Sequence, residues 1–299
     1  MFRAAYLFDR KTGRYIHEIT RHGEAPGEFA FKCEDQYGLK NDILYINNDR
    51  DWEGIHIKTK ESVGKIRKPV SVYHTYNFIS NPWPYQDSLY LGYVNNITGQ
   101  IKTRLVIFNS EGKVQKEFDN PVLYEQIGHD KPFFHGVYYE YDGHTYFKQY
   151  QGNDTIYRLS DYALVPHIVF DWNKTQKLHQ QQPVFSENQV YMSYFFENDR
   201  YIIYDCKVNG PFIAKETYPC LYNKEDGTLR SSRKQSAGFL DDIDRLGEIC
   251  PVVATNTELV DVISAEQWLE WEEKKRKMPV DIELDFDSNP VLRIVHVKE

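Results

Sequence analysis

One pattern, repeated about every fifty residues, limits what this chain can fold into more than any other feature. Compare 5-AYLFDRKTGRYIHEI-19 with 105-LVIFNSEGKVQKEF-118. Each is a short apolar strand, a polar turn holding Gly13 or Gly112, and a second alternating strand. Weaker copies stand at 55-IHIKTKESVGKI-66, 156-IYRLSDYALVPHIVF-170 and 202-IIYDCKVNGPFIAKE-216. A second element precedes most copies: 43-ILYINND-49, 88-SLYLGYVNN-96, 144-HTYFKQYQGND-154 and 189-QVYMSYFFEND-199. It carries Tyr45, Tyr90, Tyr146 or Tyr191 and runs into a turn at Asn48, Asn95, Asn153 or Asn198. Asparagine tolerates positive φ, so turn chemistry accounts for these four residues without a metal.

The repeated unit therefore reads: strand, Tyr-bearing strand, Asn turn, strand, Gly or Asn turn, strand. Four antiparallel strands at this period are the signature of a β-propeller blade, which buries its faces only by stacking on neighbours. A sandwich needs no such repeat, and a parallel α/β fold needs helices that this sequence lacks. The prediction is one all-β domain over 1–299, with repeat units near 5–19, 29–66, 70–118, 133–170, 183–217 and 236–298. The ring is of the six-bladed type, with five blades or an incomplete ring as the alternatives. An aromatic content of 15%, with 23 Tyr and 17 Phe, suits half-buried strands.

One helix is predicted, over 264–277. Ser264 and Gln267 form a capping box, and Trp268, Leu269 and Trp271 supply a narrow apolar stripe. Glu270, Glu272 and Glu273 stand four residues before Lys274, Arg276 and Lys277. That spacing makes the basic run a solvated, ion-paired helix face. Together with a net charge of −8, it argues against a nucleic-acid partner. The 4 cysteines contain no C-x-x-C pair and are expected as free thiols, although Cys206 and Cys220 face each other if their strands pair. No apolar run is long enough for a transmembrane segment, and the N-terminus as written has no signal peptide.

The stretch 21-RHGEAPGEF-29 looks at first like a phosphate loop. The residues after Phe29 show no helical period, and Glu24 and Glu28 would repel a phosphate, so a connector between blades is the better reading. Gly23 and Gly27 permit unusual dihedrals there, and Pro26 fixes one. The longer stretch, with Phe8, Asp9, Gly13, Arg21, Gly23, Pro26, Gly27, Glu28 and Phe29, resembles the opening signature of a six-bladed β-propeller family of Bacteroidetes. That family is NHL-repeat-like, largely uncharacterised and often lipoprotein-anchored. Further matches are 152-GNDTIYRL-159, 238-GFLDDIDRL-246 and 289-NPVLRIV-295. The resemblance implies a periplasmic or cell-surface location. Members usually carry a lipoprotein signal and several strands ahead of this signature, so the chain is expected to lack part of the first blade.

No G-x-S-x-G, H-E-x-x-H or P-loop motif is present. Trp83 and Tyr85, in 82-PWPY-85, are candidates for a sugar- or peptide-stacking surface; the alternative is a Pro-stiffened loop. His135, beside Phe133 and Phe134, is a third ligand-contact candidate, or else a packing residue. Asp241, Asp242 and Asp244 would be candidate calcium ligands if they point into a propeller channel, although Arg245 can also neutralise them. The favoured reading is a non-catalytic binding or scaffolding propeller without cofactor. Its partner would be a protein, a peptide or a glycan. The alternative is a lactonase- or phosphotriesterase-like hydrolase with axial Ca²⁺.

Overall fold

The computed structural model describes residues 4–21, 23, 28, 37–48, 50–69, 79–86, 88–96, 98–125, 136–149, 153–171, 190–192, 194–209, 214–232, 238–243, 245–274 and 283–297. The chain divides into two compact units. The first comprises Met1–Gln149, Asn153–Asp171 and Leu178–Val184; the second comprises Tyr150–Gly152, Trp172–Lys177 and Phe185–Glu299.

The first unit opens with a hairpin of β1 (Ala4–Phe8) and β2 (Tyr15–Arg21). Three four-stranded antiparallel meanders come next along the chain. The first blade is β3 (Tyr37–Lys40), β4 (Ile43–Asn48), β5 (Asp51–His56) and β6 (Ser62–Arg67). The second is β7 (Ile79–Pro84), β8 (Leu89–Val94), β9 (Thr103–Asn109) and β10 (Val114–Asp119). The third is β11 (Gly136–Tyr141), β12 (His144–Gln149), β13 (Thr155–Ser160) and β14 (Ala163–Val169). Within each blade the strands pair in chain order, as the repeat predicts.

Local chemistry sets the hairpins. Asn41 and Asp42 close β3 onto β4, Asp142 and Gly143 close β11 onto β12, and Asp161 and Tyr162 close β13 onto β14. All six residues have positive φ, the two-residue geometry whose twist matches paired strands. Tyr162 is the odd member, since a bulky side chain carries a steric cost in that region.

The last strands β6, β10 and β14 are mostly exposed, whereas the middle strands such as β8, β9 and β12 are covered on both faces. One face of the second blade (Val94, Val106, Phe108) packs with Tyr45, Trp52 and Ile66 of the first. The other face (Leu91, Tyr93, Leu105, Ile107) packs with Tyr138, Phe147 and Leu159 of the third. Each such side chain, fully buried, contributes roughly 1.5–3 kcal/mol of transfer free energy. The repeating tyrosine is part of this. Tyr45, Tyr90 and Tyr146 all lie on the second strand of their blade, and Tyr45 and Tyr146 are buried.

The second unit holds a sheet in which β15 (Val190–Tyr191) and β16 (Phe195–Glu197) pair with the two ends of β17 (Tyr201–Asn209). β18 (Ala214–Asn223) and β19 (Leu229–Ser231) continue it outward. Here the copy departs from the repeat: Tyr191 sits on the first described strand of its sheet rather than the second. Next come a short hairpin of β20 (Phe239–Leu240) and β21 (Glu248–Ile249), then β22 (Val253–Ala254), β23 (Glu258–Ile263) and β24 (Val291–His296) as a three-stranded sheet. The fold is thus all-β and propeller-type. It has five blades among the described residues, the smaller of the counts allowed by the repeat, and a single helix.

That helix, α1 (Ala265–Glu273), lies between β23 and β24. Ser264 caps it by accepting the Gln267 N–H at 3.1 Å. Ala265, Trp268 and Trp271 form the buried stripe, and Trp268 and Trp271 pack with Leu246 and Ile263. Leu269 is only partly buried, because i, i+3 spacing from Ala265 takes the stripe through the two indoles. Glu270 pairs with Lys274 as expected, whereas Glu272 accepts the Trp268 Nε1–H at 3.0 Å. Arg276 and Lys277 lie outside the described residues.

Candidate functional site

Asparagine side chains shape turns at one end of the second blade, of the third blade and of the β15–β19 sheet. Asn198 accepts the N–H groups of Arg200 (3.0 Å) and Tyr201 (2.6 Å) and donates to Thr255 O (3.2 Å). Asn153 accepts the Thr155 N–H at 3.0 Å. In the second blade Asn96, next to Asn95, accepts the Ile101 N–H at 2.9 Å and donates to Val122 O at 2.9 Å.

At the opposite end of the first unit, side chains from the first strands of three successive blades meet. Lys40 Nζ, at the end of β3, donates to Pro84 O (2.8 Å) on β7 and to Glu140 Oε1 (2.5 Å) on β11. The same ammonium lies 5.2 Å from the centre of the Trp83 ring. Tyr138 takes a second position against that indole, 5.9 Å between centroids and tilted by 32°. Trp83 is therefore half-buried and enclosed by the neighbouring blades. Its Nε1–H and the Tyr138 hydroxyl are buried without hydrogen-bond partners among the described residues. Burial pushes the Tyr138 phenol well above its ordinary range, with Tyr93 adding to the effect.

Tyr85 reaches the third blade too. Its oxygen accepts the backbone N–H of Tyr162, which lowers its pKa, but burial is the larger influence and raises it. The structure thus brings Trp83 and Tyr85 to one end of the second blade and gives both of them contacts between blades. His135 lies outside the described residues.

The motif of the opening loop falls between β2 and β3. Arg21 Nε pairs with Glu18 at 2.5 Å. A Cβ added to Gly23 would fall 1.9 Å from Glu28 Oε2, so glycine lets the Glu28 carboxylate lie across the chain there. Glu18, then more weakly Glu28, holds the Arg21 guanidinium's pKa up. Pro26 and Gly27 lie outside the described residues.

Among the acidic candidates, Asp241 and Asp242 are separated by their surroundings. Asp241 is buried; it accepts the N–H groups of Ile243 (3.0 Å) and Leu246 (3.3 Å) and faces Arg293 Nη1 at 3.3 Å. Arg293, on β24, also pairs with Asp261 of β23 at 2.5 Å and donates to Glu248 O of β21. It ties the β20–β21 hairpin to the following sheet. Asp242 is exposed, and Asp244 lies outside the described residues. Among the described residues, no three His, Cys, Asp or Glu side chains gather as a metal site would require. Cys206 and Cys220 do come together, with Sγ atoms 4.0 Å apart on β17 and β18, and both are free thiols. Contact with Cys220, together with burial, pushes the Cys206 thiol far up.

Sequence reasoning missed one surface. On the β1–β2 hairpin, Tyr6 (51% exposed), Phe8 (45%) and Tyr15 (56%) form a triad of edge-to-face rings, with centroids 5.8–6.5 Å apart. The signal was present. Tyr6 and Phe8 share a face by period two, and Phe8 stands opposite Tyr15 in the register.

A family model described as Domain of unknown function (DUF4934) matches residues 1–296. The chain belongs to the DUF4934 family. No curated protein matches the DUF4934 chain. Two solved structures to which it is similar are both distant. One is assigned as an exo-beta-1,3-galactanase from Bifidobacterium bifidum s17: 10% identical, covering 100% of this chain and 94% of that one, TM-score 0.40. The other is the complex of the fission yeast SREBP–SCAP binding domains: 10% identical, covering 88% of this chain and 73% of that one, TM-score 0.29. Likenesses at this level carry no statement about the activity of the DUF4934 chain.

Proposed function

We propose that this DUF4934 chain is a non-catalytic binding or scaffolding propeller of the bacterial cell envelope, engaging a peptide, a glycan or a protein partner. The observation that carries this reading is the exposed aromatic triad Tyr6–Phe8–Tyr15. Clustered large aromatics on a surface are what interfaces and carbohydrate platforms use, because each ring offers much contact area at small entropic cost. The Asp241 carboxylate is engaged structurally, by Arg293 and two backbone N–H groups.

The test is a screen of the purified chain against peptide and glycan arrays, repeated with Phe8→Ser combined with Tyr15→Ser. Binding that disappears in the double variant, with the melting temperature kept, is the expected result. A ligand bound equally well by both proteins would move the surface elsewhere, and a wild-type chain blank on both arrays would sink the peptide and glycan readings together.

A further inference from the structure

Arg104 is a buried cation without a counter-charge among the described residues. It lies near the start of β9, where the pairing with β10 passes from Leu105↔Phe118 to Thr103↔Asp119 and leaves Arg104 as the extra residue of a bulge. Bulges re-aim side chains. Here the guanidinium lies over two rings of the third blade, 4.6 Å from the centre of Tyr157 and 6.0 Å from that of Phe147. Only 6% of the residue is exposed. Its Nε and Nη1 are enclosed, and among the described residues they have no hydrogen-bond partner and the side chain makes no ion pair.

A guanidinium stays charged in a protein. Two ring faces offset roughly 0.5–2 kcal/mol of its burial, whereas leaving a buried charge without hydrogen bonds costs several kcal/mol. Something must complete the site. A second orphan indicates what. Gln149 stands two residues beyond Phe147 on the same face of β12; it is buried, and its Oε1 has no partner among the described residues. A bulge-aimed cation and an unpaired amide oxygen on the facing sheet call for one group that accepts and another that donates. A carboxylate beside a hydroxyl supplies both.

We propose that Arg104 anchors a carboxylate ligand of the 2-hydroxy-acid class between the second and third blades, with Gln149 receiving its hydroxyl. This site is separate from the aromatic triad and does not depend on it. The probes are acetate, glycolate, phosphate and chloride at matched ionic strength, read by thermal unfolding and calorimetry on the full chain. Glycolate should bind saturably and about tenfold more tightly than acetate, a margin of about 1.4 kcal/mol. Arg104→Met should abolish both responses, and Gln149→Leu should remove only glycolate's advantage. Arg104→Lys keeps the charge without the planar fork and should weaken binding.

If Arg104→Met does not fold, the wild-type Arg104 Nε–H resonance, assigned by its loss in Arg104→Lys, must shift with glycolate. A site filled by water alone gives no saturable response in any buffer and overturns the proposal. So does an equal response to chloride, which would mean an adventitious ion only. A response retained in Arg104→Met does the same.

Discussion

Lys148→Met tests the balance of charge and burial in the third blade. Lys148 is 0% exposed on β12. Its Nζ donates to Asn153 O at 2.8 Å and lies 5.5 Å from the Phe170 ring. Burial pushes its pKa from 10.5 down to about 7, against a smaller opposing pull from Asp154. Between those two values the unfolded chain holds a proton that the native chain has released. The unfolded state therefore binds more protons, and stability rises with pH across that window. Below about pH 7 both states are protonated and the penalty is constant. Its size there is about 5 kcal/mol, since each pKa unit is worth about 1.4 kcal/mol. Methionine removes that penalty while losing one hydrogen bond, worth about 1 kcal/mol. The variant should thus be more stable than wild type at pH 6 by about 3–4 kcal/mol, and by about 2–3 kcal/mol less than that at pH 9. Urea unfolding of both proteins at pH 6, 7.5 and 9, with reductant present and circular dichroism as the readout, measures the difference directly. Parallel pH dependence in the two proteins would refute the reasoning, as would a Met variant less stable at pH 6.

Three further perturbations separate the other forces. Arg293→Met leaves Asp241 and Asp261 buried without their cation and should cost about 3–5 kcal/mol, seen as early loss of hydrogen-exchange protection in β20–β24. Gly136→Ala places a Cβ 2.6 Å from the Tyr93 ring, where the packed blade cannot yield easily. A loss of about 1–3 kcal/mol in chemical denaturation is expected. Ser264→Ala removes the cap of α1 and should cost about 1 kcal/mol, with Ser264→Asp restoring it; equal stability of all three proteins would show that the cap is idle.

Much of the blade architecture was legible because it rests on local rules. The repeated tyrosine with apolar or β-branched neighbours placed β4, β8 and β12, and turn chemistry predicted asparagines that do close turns at Asn153 and Asn198. The capping box placed the start of α1 to the residue. The site was less legible. Trp83 and Tyr85 stood out as aromatic residues in a proline-rich stretch. That Lys40 and Tyr138 would sandwich the indole depends on residues more than forty positions away in each direction. In the second blade's loop Asn96, the neighbour of Asn95, bonds both within the turn, to the Ile101 N–H, and outside it, to the carbonyl of Val122, and the second contact is invisible to local rules.

The amino-acid order thus carried the period, the strands and the helix cap, all decided by contacts within a few residues. Which charges lie buried was decided elsewhere. Nothing near Lys148, Arg104 or Arg293 in the chain distinguishes them from solvated cations. Their burial results from blades stacking on both faces of a strand, from one bulge in β9, and from the return of β24 beside β23. Desolvation is a property of the assembled surroundings, and only packing between segments distant in sequence creates it.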